Sequence, residues 1–174
     1  MSSHQPVVTD QILDLIESRS DEQRGNRRMS NEVVQALKDC GFYTMMLPKK
    51  WGGQEQRPQE FFREQIRIAE ADMSTAWASG IIAVHAFQIA LMSEEAQREV
   101  YEVDPNTLVS SSYNPVGAKA ASSDGGFMLS GRWGWSSGSE HCSWALLGGV
   151  IPGDGYRTFL VPRDQYVIED TWNV

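Results

Sequence analysis

The chain has 174 residues, with 15 Lys and Arg against 23 Asp and Glu, giving a net charge of −8 at pH 7. That length supports one domain or two small ones with a sizeable core. The acidic balance and the lack of a basic cluster argue against nucleic acid, whose phosphates demand a basic face. Cys40 and Cys142 are too few and too far apart for zinc-ligand spacing or a disulfide framework, so no metal is expected and a reducing cytoplasm suits them best.

The opening MSSHQPVVTDQ lacks the basic start and apolar run of a secretory signal. A first helix is predicted from Asp10, read as its N-cap, with Ile12, Leu13 and Ile16 on one face. A second starts at Ser30 with the stripe Val33, Val34 and Leu37, and Gly41 is placed to end it. Cys40 has no basic neighbour to lower its pKa and reads as a small buried hydrophobe. Pro48, Gly52, Gly53 and Pro58 then forbid a continuous helix and mark an ordered loop. Helix resumes over Gln59 to Ala71, with Phe62, Ile66 and Ala69 assigned to one face and Arg63, Glu64 and Arg67 to the others.

Met73 to Met92 holds no Asp, Glu, Lys or Arg in 20 positions, long enough to raise a membrane span. Ser74, Thr75, Ser79, His85 and Gln88 interrupt it, acidic residues bound it and no basic or Tyr belt flanks it, so a membrane span is rejected. The segment is expected to be the central, buried member of a helical bundle. Ser93 caps a further short helix, EEAQREVYE, and Asp104-Pro105-Asn106 ends it.

Beyond Asn106 the pattern turns to strands. Thr107 to Ser112, Phe127 to Trp135, Ser143 to Ile151 and Tyr156 to Val161 read as strands, with turns at Asp124-Gly125-Gly126 and Pro152 to Gly155. The order is α+β: a helical domain over 1–105 and an antiparallel β-domain over 106–174. Within the second part, Ser110 to Ser112 and Ser136-Ser137 lie at strand ends among Trp133, Trp135 and Trp144. Short hydroxyl donors beside flat apolar walls suit an aromatic ligand. No Rossmann or Walker loop is present. On residue type alone, His85 and Trp77 default to core packing. Phe42, Phe87 and Tyr113 are equally able to pack the core or to shape a pocket. His141 and Cys142, adjacent on an expected strand, point to opposite faces and read as structural.

Leu47-Pro48 to Gly52-Gly53, Asp72 to Trp77 and Gly131-Arg-Trp-Gly-Trp-Ser-Ser-Gly138 resemble the acyl-CoA dehydrogenase fold. More narrowly they are similar to its flavin-dependent (group D) monooxygenase branch, the oxygenase components of two-component aromatic hydroxylases. 4-Hydroxyphenylacetate 3-hydroxylase and the hydroxylase of phenolic secosteroids are of this type. Dehydrogenases usually carry Thr-Glu-Pro and Trp-Ile-Thr-Asn where this chain has Tyr113-Asn114-Pro115, after Ser111-Ser112, and Trp135-Ser136-Ser137-Gly138. The exchange gives a site rich in hydroxyls.

The resemblance implies hydroxylation of a phenolic or other aromatic substrate through a flavin C4a-hydroperoxide. It implies reduced FMN or FAD supplied by a separate NAD(P)H:flavin reductase, O2 as co-substrate, and a cytoplasmic homotetramer. Ser136 or Ser137 would face flavin N5, His85 and Ser111 would hold the phenolic oxygen, and Trp77, Ser112 and Trp135 would line the flavin pocket. A phenol has a pKa of about 10, so forming the phenolate near neutral pH needs such a partner. Members of the branch continue with a C-terminal four-helix domain absent from this sequence, so a truncated β-domain is expected. The alternatives are an acyl-CoA dehydrogenase and a non-catalytic fragment that binds a partner.

Overall fold

A computed structural model describes residues 6–171. Five helices come first: α1 (Asp10–Asn26), α2 (Asn31–Asp39), α3 (Pro58–Ala71), α4 (Met73–Ile89) and α5 (Glu94–Tyr101). Five strands follow: β1 (Val109–Ser112), β2 (Lys119–Ser123), β3 (Gly126–Ser130), β4 (Trp144–Ile151) and β5 (Gly155–Pro162). The helix-then-strand order is therefore the one expected.

Short polar side chains start three of the helices. Ser30 accepts from the Val33 N–H at 3.2 Å, Asp72 from Thr75 at 2.7 Å, and Ser93 from Ala96 at 3.4 Å. Gly41, at φ 82°, supplies the left-handed residue just past α2. The α1 cap differs from the expectation. Thr9 holds the N-cap position, while Asp10 lies in the first turn with its carboxylate 2.8 Å from Arg67 Nη2.

α3 also turns a different face inward. Phe61, Glu64 and Ile68 are buried, whereas Phe62 and Ile66 are exposed. The carboxylate of Glu64 survives burial because it accepts from the Val8 N–H at 3.0 Å and from Arg67 Nη1 at 3.2 Å. The bond from Val8, invisible to an apolar count, lets Glu64 share the buried face with Phe61 and Ile68.

α4 buries one side only. Ala76, Ser79, Ile82, Ala83, His85, Ala86 and Ile89 are inside, while Met73, Trp77, Val84 and Phe87 face out, so the expected all-round burial is corrected. No helix among the described residues is long and apolar enough to cross a membrane.

The sheet order is β1-β4-β5, with β4–β5 antiparallel and β1–β4 parallel in the register Val109↔Trp144 to Ser112↔Leu147. β2 and β3 form an antiparallel hairpin about the Asp124-Gly125 turn, where Gly125 takes φ 75°. β3 stops at Ser130, five residues short of the expected end. β3 ends with its partner, at the pair Lys119↔Ser130, and further on Trp135 has a φ of 63°, in the left-handed region that a strand does not admit. The expected strand at His141-Cys142 is instead a single 3-10 turn, Ser139–His141. Thus residues 131–138 leave the sheet and run across its end.

Two apolar clusters hold these parts together. One gathers Ile16, Leu37, Phe42, Met45, Ile68 and Ile82, with Leu108 and Cys142 joining from beyond residue 105. The other joins Leu47, Ala86, Ile89, Val100 and Tyr101 to Val109 and Leu146. Helix α4 contributes to both clusters and carries β1 against its inner face.

Candidate functional site

Where the C-terminal end of β1 meets α4, the segment 131–138 is stapled across the sheet end. Ser112 Oγ–H donates to the Gly134 carbonyl at 2.5 Å, and Trp133 Nε1–H donates to the Gly148 carbonyl at 2.8 Å. From the helix side, Trp77 Nε1–H donates to Ser137 Oγ at 3.2 Å. These three bonds fix a chain that has no strand partner of its own. Trp135, held between Gly134 and Ser136 in its left-handed conformation, projects its indole outward with 79% of its surface exposed.

The result is a cleft of about 270 Å³. Trp77 and Ile81 from α4, Ser111, Ser112 and Tyr113 from β1 and its end, Asn114, and then Gly134, Trp135 and Ser137 line it. Five residues singled out by sequence therefore share one cavity: Trp77, Ser111, Ser112, Trp135 and Ser137. Ser136 lies outside the lining, and its carbonyl accepts from Ser139 N–H at 3.2 Å. Trp77, expected as core on residue type alone, is 62% exposed.

His85 also lies outside the lining, beneath the cleft and 2% exposed. Its Nδ1 is 2.7 Å from the Val109 carbonyl oxygen. A carbonyl only accepts, so the neutral ring carries its proton on Nδ1 and keeps the Nε2 lone pair. Burial lowers the His85 pKa, against the opposing hydrogen bonds to the Val109 and Ile82 carbonyls. The His85 ring centroid is 6.4 Å from that of Tyr113, which ties it to the cleft wall.

Two residues deserved more weight from sequence. Tyr113 lines the cleft and its hydroxyl is 2.5 Å from Gln88 Oε1. The usable signal is spacing: Gln88 follows His85 by one helical turn, and Tyr113 is two residues beyond Ser111, just past the end of β1. Phe42 is fully buried core, and Phe87 is on the exposed side of α4. The two thiols are inert by environment, because burial raises the Cys40 pKa and pushes that of Cys142 up to about 12.

A helical N-terminal half packed on a small β-sheet, with a Trp- and Ser-lined cleft at the junction, is the arrangement of an acyl-CoA dehydrogenase-like fold. Residues 7–102 match the model of the acyl-CoA dehydrogenase N-terminal domain, and the chain belongs to that family. It is 42% identical over 172 residues to the flavin-dependent monooxygenase oxygenase subunit HsaA of Mycobacterium tuberculosis (strain CDC 1551 / Oshkosh), covering 97% of this chain and 43% of HsaA. The oxygenase component of the FADH(2)-dependent resorcinol hydroxylase of Rhizobium sp. (strain MTP-10005) is 35% identical, covering 94% of this chain and 41% of that protein. The crystal structure of the 3-HSA hydroxylase from Rhodococcus sp. RHA1 superposes with a TM-score of 0.93 at 39% identity, covering 100% of this chain and 47% of that one. The chain thus spans under half the length of these relatives.

Proposed function

We propose that the chain belongs to the oxygenase component of a two-component flavin-dependent monooxygenase that hydroxylates a phenolic or related aromatic substrate. The observation that carries this reading is the convergence of Trp77, Trp135 and Ser137 with Ser111 and Tyr113 on one cleft. The relatives named as monooxygenase and hydroxylase components support it.

The lining suits the reacting end of a flavin. Two exposed indoles offer flat apolar faces. Ser137 Oγ accepts from Trp77, which leaves its own proton to donate to a ring nitrogen such as N5. That places Ser137 ahead of Ser136 for this role, with Trp77, Ser112 and Trp135 walling the ring system. The isoalloxazine is common to FMN and FAD, and either would present the same group. When bound in reduced form, the flavin supplies activation of O2 for transfer of one hydroxyl to the ring.

The residues of this chain then act on the substrate. Ser111 and His85 hold the phenolic oxygen. The Nε2 lone pair of His85 accepts a hydrogen bond from the phenol O–H, which draws electron density onto the phenolic oxygen and enriches the ring carbon ortho to it. Burial lowers the His85 pKa, so the ring is neutral near neutral pH and its Nε2 lone pair is open to a hydrogen bond. We further place the protein in the cytoplasm, as a homotetramer served by a separate NAD(P)H:flavin reductase. Free Cys40 and Cys142 suit a reducing compartment.

The test mixes the protein, expressed from its complete reading frame, with reduced FMN or FAD, O2 and a panel of phenols. Catechol products are expected. Absence of hydroxylated product across the panel, with anaerobic reduction of bound FAD by an acyl-CoA, would replace this reading with a dehydrogenase.

A further inference from the structure

A ring of hydrogen bonds runs behind the segment that carries Ser137. It begins on α4, where Thr75 Oγ1 accepts from the buried Gln23 Nε2 at 3.0 Å, and Gln23 Oε1 in turn accepts from the Ser30 N–H at 2.9 Å. The loop between α1 and α2 is thereby held to α4, and it presents the Met29 carbonyl to His141, whose Nε2 lies 3.1 Å away. A carbonyl only accepts, so the His141 ring carries a proton on Nε2 and donates it. The imidazole is 7% exposed and reaches a partner 112 positions away in the sequence. His141 also closes the turn that follows Ser137. Its backbone N–H donates to the Gly138 carbonyl at 3.0 Å, that of Ser139 to Ser136 at 3.2 Å and that of Cys142 to Ser139 at 3.1 Å. From this turn Ser137 Oγ returns to α4 by accepting from Trp77 Nε1–H at 3.2 Å, two residues from Thr75.

The turn is therefore tied to one helix by two arms, Gln23 to His141 on one side and Trp77 on the other. The Trp77 bond is exposed and competes with water, so the buried arm decides the placement. Gly138 fixes how closely the turn sits. It takes φ 71°, and an added Cβ would meet Ile82 Cδ1 of α4 at 2.6 Å and Met29 Cε at 3.6 Å. We propose that His141 and Gln23 are positioning residues that set the height of the turn over 136–142 above α4, and so hold Ser137 Oγ at the cleft wall where it can donate to a flavin ring nitrogen. Neither residue lines the cleft; both line, with Met29, a second and polar cavity, so they act on Ser137 only through the turn. The inference rests on the flavin-binding reading given above and deepens it.

The closing experiment compares wild type, His141→Leu and His141→Gln, each expressed from the complete reading frame. Leu removes the donor at similar bulk, whereas the Gln Nε2 stands as many bonds from Cβ as the His Nε2 and can donate to Met29. Amide hydrogen exchange, read by mass spectrometry on the flavin-free protein, follows the peptide over 136–142 against one from α3. In His141→Leu the turn is expected to exchange about fivefold faster or more, the opening gained when one buried acceptor is left unmade, with α3 unchanged. Given reduced flavin, O2 and a phenol, the same variant should release severalfold more H2O2 per hydroxylated product. His141→Gln should restore both readings, a rescue that loss of packing would not show. Gln23→Met breaks the ring at its other buried bond and should behave as His141→Leu, and thermal melts check that each variant is folded, so either one alone suffices. A loosened turn with unchanged coupling, or a turn whose exchange is unchanged in a folded variant, overturns the assignment while leaving the flavin site standing. Failure of the wild type to bind reduced flavin in a fluorescence titration overturns the flavin-binding reading itself, and the assignment with it.

Discussion

Gly148→Ala is the substitution with the most direct structural consequence. Its Cβ would overlap the Tyr113 carbonyl oxygen, approach the Tyr113 carbonyl carbon to 2.6 Å and meet Tyr156 Oη at 2.7 Å. Two of these neighbours are backbone and cannot rotate away, so β4 and the end of β1 must separate. Overpacking of this kind costs about 1–3 kcal/mol, a large share of the roughly 5–15 kcal/mol that holds a domain folded. For a chain of this size each kcal/mol lowers Tm by about 2–4 °C, so a drop of roughly 2–12 °C is expected in a calorimetric scan. Gly25→Ala is the control. It lies in α1 with nothing within 4 Å of an added Cβ, and replacing a helical Gly should raise stability by up to about 1 kcal/mol. A Gly148→Ala protein melting at the wild-type temperature would refute the close approach of β4 to the Tyr113 carbonyl.

Ser137→Ala should retain flavin binding but release more H2O2 per hydroxylated product, measured with a peroxide-coupled assay, and unchanged coupling would remove Ser137 from N5. Glu64→Leu should destabilise the fold by about 1–3 kcal/mol in urea unfolding, because the Val8 N–H and Arg67 lose a buried acceptor. Stability should also fall as pH drops below about 6.5. Burial lowers the pKa of His85 and of His141, so below that pH the unfolded chain binds protons the folded chain refuses. His85→Asn removes one of these groups. The stability difference between pH 7.5 and 5.5 should shrink in that variant, and an undiminished difference would contradict the buried neutral imidazole.

Element identities were legible because caps and periodicity are local. Ser30, Asp72 and Ser93 announce their helices, and the Asp124-Gly125 turn announces its hairpin. Helix rotation was less accessible. Phe62 and Ile66 look like core, yet α3 buries Phe61, Glu64 and Ile68 instead, with Glu64 held by the N–H of Val8, over 50 residues away. The shape of 131–138 was hidden for a similar reason. Trp133 and Trp135 score as strand formers, whereas Ser112, Trp77 and Gly148 hold that segment in an irregular path. At the cleft, residue types identified the hydroxyls and indoles. Which of Ser136 and Ser137 faces inward, and the bond from Tyr113 to Gln88, depend on tertiary placement.

The parallel pairing of β1 with β4 has a kinetic side. Val109 meets Trp144 only after the intervening chain has doubled back along the sheet, and Gly134, Trp135 and Ser137, which wall the cleft, are part of that return path. Closing so long a loop is slow relative to a hairpin, so β1–β4 docking is expected to be the late event in folding. Cleft and sheet register are thereby completed in the same step, and a ligand seated between Trp77 and Trp135 would act as a clamp on the last part of the molecule to assemble.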